Sequence, residues 1–143
     1  MRALAIRRYR APMEMVDLPR PEPGPGDLLV RVRAAGVNPL DYKIRDGVVK
    51  VLTPYTFPLI LGTDLAGDVE AIGPGVTRFK VGDAIYARLD KERIGAIADY
   101  ALVREGAAAK KPTRLDYEQA ASLPLVGLTA WQALVEIARL QAG

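Results

Sequence analysis

The chain has 143 residues, half of them apolar, and this is enough for one domain with its own core. It contains no cysteine and no histidine, so it can form no disulfide and no zinc site built from Cys and His ligands. The formal charge of +3 comes from basic residues that alternate with acids, which argues against a nucleic-acid partner. No apolar stretch approaches the roughly 20 residues of a membrane helix, and arginines interrupt the N-terminal apolar residues. We therefore expect a cytoplasmic protein with no membrane partner.

Most of the chain before residue 112 has the pattern of short strands separated by turns. Over residues 27–35 apolar residues alternate with arginines, which is the period of a half-buried strand. Residues 41–46 have the composition of a short helix, and Gly47 is a natural residue to end it. Further strands are predicted at residues 2–8, 15–17, 65–72, 84–89 and 99–104.

The segment Gly73-Pro74-Gly75 superficially resembles a phosphate-binding loop. Pro74 removes an N–H donor, however, and no Gly-x-Gly-x-x-Gly motif follows it. We interpret the segment as a tight turn.

The C-terminal part of the chain changes to a helical pattern. Asp116 and Gln119 have the spacing of a capping box, and an apolar helical pattern then extends over residues 125–140. We divide the chain into a domain of residues 1–124 and a helix over residues 125–143, with Trp131 predicted to lie in the core.

Four motifs follow one another in a fixed order. They are Gly-Val-Asn-Pro-Leu-Asp-Tyr-Lys at 36–43, Gly-Thr-Asp-Leu-Ala-Gly at 62–67, Gly-Pro-Gly-Val at 73–76 and Phe-Lys-Val-Gly-Asp at 79–83. Together they resemble the N-terminal domain of the medium-chain dehydrogenase/reductase superfamily, over the whole chain. Zinc-dependent members have Cys in place of Asn38 and His-Glu in place of Thr63-Asp64. The pattern is therefore most similar to the zinc-independent branch of quinone oxidoreductases, zeta-crystallin-like proteins and enoyl reductases.

This resemblance implies a mainly β fold with helices, namely a GroES-like, partly open β-barrel. The helix over residues 125–143 would lead to a Rossmann domain that the chain lacks, in a reductase about twice as long. The implied activity is hydride transfer from NADPH to a quinone or an enone/enoyl substrate, with no zinc and with NADPH bound mainly by the absent domain. NADPH rather than NADH is a preference of the family. The chain alone is expected to be inactive, and the longer protein could be a homodimer.

The resemblance also suggests which residues form the site. Asn38 could donate and accept hydrogen bonds toward substrate or nicotinamide, or could have only a turn-forming role. Tyr42 and Lys43 follow one helical turn later, and either could protonate the reduced substrate; Lys43 could instead lie on a solvated helix face. The Thr63 hydroxyl could bind substrate. Thr129 falls in the segment that touches the nicotinamide in related reductases, although simple packing would also explain it.

Two carboxylates accompany these candidates. We expect Asp64 to pair with a cation or a backbone N–H, and Asp41 to act as a first-turn acid of the short helix.

Two other functions remain open beside the reductase. A non-enzymatic interaction module could be built on the same barrel. An alcohol dehydrogenase that depends on zinc is disfavoured, because the chain has no Cys or His ligands.

Overall fold

The structure is a computed structural model that describes residues 1–141. Two antiparallel sheets form the body of the molecule. The strands are β1 (Arg2–Ile6), β2 (Glu14–Asp17), β3 (Asp27–Gly36), β4 (Leu59–Ile60), β5 (Asp64–Ile72), β6 (Ala84–Arg88), β7 (Tyr100–Arg104) and β8 (Ala108–Lys110). The helices are α1 (Pro39–Arg45), α2 (Tyr117–Ala121) and α3 (Pro124–Trp131). One sheet has the order β2-β1-β4 and the other the order β7-β3-β5-β6-β8. This confirms the predicted mainly β architecture with helices, and the strands form two open sheets.

Separate apolar clusters hold the sheets and the helices together. The largest lies on one face of the five-stranded sheet and includes Leu28, Leu65 and Ile85. A second cluster joins β1 and β4 to α1 through Ile6 and Ile44. On the opposite face of the large sheet, small residues of α2 pack against β5 and β6. These clusters position β3, α1, β5 and α2.

The strands agree with the pattern-based expectations to within two residues at each end, but two strands were not predicted. These are β4, with two residues, and β8, with three. Segments this short contain too few positions to show an alternating period. The predicted turn at residues 73–75 is present, with Gly75 at a φ of 81°.

Helix α1 starts two residues before and ends one residue before the predicted range of 41–46, and its terminal residues have the predicted roles. Asp41 accepts a hydrogen bond from the Asn38 backbone N–H at 2.7 Å, which confirms Asp41 as a first-turn acid. Gly47 follows the helix with a φ of 75°, the left-handed conformation that glycine adopts without a steric penalty. The capping box of Asp116 and Gln119 is also present, at the start of α2.

The C-terminal helix differs from its prediction in three respects. It starts at Pro124, continues beyond α3 as a π-helical segment at Gln132–Ile137, and ends before residue 140. Trp131 was predicted to lie in the core, and this is wrong, because its side chain is 58% exposed. Residues 142 and 143 of the predicted helix lie outside the described residues. Within residues 1–141 no helix has both the length and the apolarity needed to cross a membrane.

Candidate functional site

Three segments that are distant in sequence meet at one buried point. Asn38 lies between β3 and α1, Asp64 begins β5 directly after Thr63, and Leu125 is in the first turn of α3. Asn38, Thr63 and Asp64 are all buried. We call these three residues the Asn38 cluster.

Direct hydrogen bonds hold the Asn38 cluster together. The Asn38 side-chain amide donates to Asp64 Oδ2 at 3.1 Å and lies 3.4 Å from Thr63 Oγ1. The Leu125 backbone N–H donates to the same Asp64 oxygen at 2.9 Å. The expectation that Asp64 pairs with a backbone N–H is thereby confirmed. One carboxylate thus ties the start of α3 to the end of β3.

Asp41 and Asp64 are two buried carboxyls on either side of Asn38. In each, Oδ2 accepts hydrogen bonds, whereas Oδ1 is buried and has no partner among the described residues. Burial raises the pKa of the Asp41 carboxyl. Burial also raises the pKa of the Asp64 carboxyl, and the nearby charge of Asp41 adds to this effect. Both groups therefore keep a proton to a higher pH than an ordinary carboxyl does.

Tyr42 and Lys43 lie on the solvent side of α1. The buried side of this helix carries Asp41 and Ile44, and the Tyr42 side chain is 50% exposed. Within residues 1–141 neither side chain is hydrogen-bonded to the Asn38 cluster. The structure thus places both residues beside the cluster in sequence but outside its network, and their predicted roles stay predictions.

Thr129 is exposed on α3, one turn beyond Leu125. Its hydroxyl donates to the Leu125 carbonyl oxygen at 2.8 Å, a bond within the helix. It makes no hydrogen bond to the Asn38 cluster in the described part of the chain. Thr129 therefore shares a helix face with the residue that anchors α3, and its binding role also stays a prediction.

Sequence patterns did not identify two contributors to the site. The first is the Leu125 backbone N–H, which carries no residue-type signal. The second is Arg88, which stands opposite Asp64 in the register of β5 and β6. Only the strand pairing brings this cation to the site, so a correct alignment of these two strands was the signal that could have found it.

The donor atoms of the cluster are amide, hydroxyl and carboxylate groups. Zinc in proteins is held by thiolate, imidazole and carboxylate ligands in a tetrahedron, and amide and hydroxyl groups are poor substitutes. Within residues 1–141 no group of three acids is placed to hold a metal ion. The residues present do not fit the zinc site of the superfamily.

Comparison with known proteins identifies the fold. The alcohol dehydrogenase GroES-like domain family matches residues 24–113. A chloroplastic quinone-oxidoreductase homolog of Spinacia oleracea is 40% identical over 129 residues, which is 90% of this chain and 39% of that protein. The chain spans less than half the length of the curated relatives that it matches first.

Solved structures agree closely with the whole chain. An alcohol dehydrogenase superfamily protein from Novosphingobium aromaticivorans has a TM-score of 0.92 at 42% identity, covering 100% of this chain and 44% of that one. The quinone oxidoreductase from Coxiella burnetii has a TM-score of 0.88 at 32% identity, covering 99% and 46%. A mycobacterial protein solved in complex with NADPH has a TM-score of 0.88 at 34% identity, covering 100% and 43%.

The order of the sheets, the motifs around Asn38 and Thr63, and these matches agree with one another. The chain belongs to the alcohol dehydrogenase GroES-like domain family, the N-terminal domain of the medium-chain dehydrogenases/reductases.

Proposed function

We propose that this chain is the substrate-side domain of a zinc-independent, NADPH-dependent oxidoreductase that reduces quinones or enones. The observation that carries the proposal is the Asn38 cluster, in which amide, hydroxyl and carboxyl groups stand where zinc members have metal ligands. Such groups position a substrate by hydrogen bonds and need no metal.

The C-terminal helix supports a second domain. From Pro124 to Ile137 the helix carries apolar residues all around its axis, and most of them are exposed. Helices of this kind are normally buried in a larger protein. The relatives are more than twice as long as this chain. We propose that residues 125–143 lead to a nucleotide-binding domain that covers this helix.

NADPH is supported by one close structural relative, the mycobacterial protein solved with that cofactor. When bound, NADPH supplies a hydride, and the substrate takes up this hydride together with one proton. On this chain, Tyr42, Lys43 and Thr129 are exposed, and the side chains of Tyr42 and Lys43 have no hydrogen-bond partner within residues 1–141. In our proposal Tyr42 or Lys43 delivers the proton, and Asn38, Thr63 and Thr129 orient the reactants. The longer protein is further proposed to be cytoplasmic and to form a homodimer.

A decisive experiment assays the longer protein that contains this chain. NADPH oxidation is followed with a benzoquinone, with a small enone, and in the reverse sense with a primary alcohol and NADP⁺. We expect turnover with quinone or enone that survives treatment with a strong chelator. The variants Y42F and K43M then identify the proton donor, because its loss should lower kcat by about 10²-fold or more. Activity only with alcohols, or activity removed by the chelator, would contradict the proposal.

The exposed apolar helix also favours a second candidate, a non-enzymatic interaction module. A partner protein would then cover the surface that we assign to a nucleotide-binding domain. The same assay decides between them, since a module would oxidise no NADPH with any of the substrates.

A further inference from the structure

Arg88 is a cation whose charge reaches the Asn38 cluster. It ends β6 directly opposite Asp64 of β5, and the side chains of both residues lie on the sheet face that carries α2 and α3. Burial raises the pKa of the Tyr55 hydroxyl, and the charge of Arg88 acts against this rise. The same charge opposes the rise in the pKa of Asp64. The charge of Arg88 therefore acts on both Asp64 and Tyr55.

Arg88 also lines a groove with mostly apolar walls. The groove has a volume of about 650 Å³ and runs between β6, β8 and α3. Its walls include Pro124, Leu128 and Trp131. Pro124 precedes the residue whose N–H binds Asp64, so the groove and the cluster share the first turn of α3. A ligand with an apolar ring could lie in the groove with one polar end at Arg88.

The guanidinium of Arg88 is available for such a ligand. The residue is half-buried, and within residues 1–141 it forms no ion pair and no side-chain hydrogen bond. It acts on Asp64 only through its charge. Asp90 also lines the groove, but within residues 1–141 it forms no ion pair with Arg88. Its charge acts on Arg93, which forms a forked ion pair with Asp27. A half-buried arginine without a partner carries a desolvation cost that an anionic ligand would offset.

We propose that Arg88 binds the ligand oxygen that carries or gains negative charge, while the ligand's apolar body lies in the groove against Trp131. The kinetic part of this inference rests on the proposed function: when a quinone or enone accepts a hydride, its oxygen gains negative charge before it takes up a proton. A fixed guanidinium next to that oxygen lowers the energy of the charged state. The substrate class is thereby narrowed to small aromatic or alicyclic compounds whose reactive oxygen points toward β6.

The first test measures binding without any cofactor. Benzoate and its neutral counterpart benzamide are titrated into the 143-residue chain, and the fluorescence of Trp131, its only tryptophan, reports binding. We expect benzoate to bind at least about tenfold more tightly than benzamide, since a forked charge-assisted contact is strong. R88M should abolish the preference and R88K should retain part of it. R31M removes one positive charge from an exposed position on β3 and serves as the matched control.

The second test uses the longer protein. R88M should lower kcat/KM for the quinone by about 10²-fold, mainly through kcat, because the contact strengthens as charge develops. Any of three results would overturn the inference. These are that the wild-type chain does not prefer benzoate, that the preference persists in R88M, or that the kcat of R88M is unchanged. If the longer protein oxidises no NADPH with quinones or enones, the proposed function fails, and benzoate binding alone decides the role of Arg88.

Discussion

At the scale of single residues, the site is characterised by the carboxyls of Asp41 and Asp64, each of which has one buried oxygen with no hydrogen-bond partner in the described chain. Asp64 holds α3 with one oxygen, while its other oxygen has no hydrogen-bond partner in the described chain. A buried, unpaired oxygen is expensive for an ionised carboxylate and much less so for a neutral group. Replacing Asp64 should therefore change the stability of the folded chain and its dependence on pH.

We predict that D64N is at least as stable as the wild type at neutral pH. The amide oxygen that this substitution introduces can still accept from Leu125 and Asn38, and no charge has to be buried. Because the folded pKa of Asp64 is raised above its usual value of 3.8, its contribution to stability is present below that value and is lost as pH rises through the folded pKa. Urea unfolding between about pH 4 and pH 8 should show a smaller loss of stability in D64N than in the wild type.

D68N is the matched control for this prediction. Burial acts to raise the pKa of Asp68, but the Tyr117 hydroxyl and Arg33 outweigh it and lower the pKa. Its stabilising contribution is therefore present above the unfolded pKa and lost as pH falls, the opposite sign to Asp64. If the stability of D64N and of the wild type had the same pH dependence, burial would not raise the pKa of Asp64, and the prediction would be wrong.

At the scale of elements, the strands were predictable because alternation and turn residues mark them. Over residues 27–35 the arginines point outward between apolar residues, and β3 forms there. β4 was not predicted because its two residues are too few to show the alternation of apolar and polar residues that is typical of a strand. Trp131 was misplaced because an apolar helix looks the same in sequence whether it is covered by its own chain or by another.

The packing of elements depends on one glycine that the sequence pattern alone does not explain. α2 lies so close to the end of β3 that a Cβ at Gly36 would be 2.6 Å from the Ala121 carbonyl oxygen. This contact places α2, and after it α3, against the strand that leads to Asn38. A side chain here would push the helix away from the site.

We predict that G36A destabilises the chain by about 2 kcal/mol, the usual cost of forcing extra volume into a packed contact. G127A is the matched control, because a Cβ at Gly127 in α3 meets nothing within 4 Å. Alanine there should stabilise the helix by up to about 1 kcal/mol. Urea midpoints at unchanged slope measure both effects. Equal stability of G36A and the wild type would mean that α2 can shift without cost.

At the scale of the whole molecule, the site is assembled by the sheet register and by the docking of α3. Asn38, Asp64, Arg88 and Leu125 come from four separate segments, and only their tertiary arrangement brings them together. Motifs identified Asn38 and Thr63 through a family resemblance, whereas the position of Arg88 follows from strand pairing. The sequence pattern could not predict which residues lie next to Asp64 on the sheet face that α3 covers, because strand pairing and helix docking determine these neighbours.

The outer surface of the C-terminal helix gives the last prediction. Leu134 is 50% exposed and Ile137 is 80% exposed, so the 143-residue chain should associate as its concentration rises, because burying these side chains removes apolar surface from water.

The double substitution L134E/I137E should keep the chain monomeric in analytical ultracentrifugation without lowering its unfolding temperature, since neither side chain belongs to the core. V51E, at another exposed apolar position, should leave the association unchanged. In the longer protein the double substitution should instead reduce stability, because our proposal has the nucleotide-binding domain cover the same surface there. Association of the double variant equal to that of the wild type would show that this helix is not the docking surface.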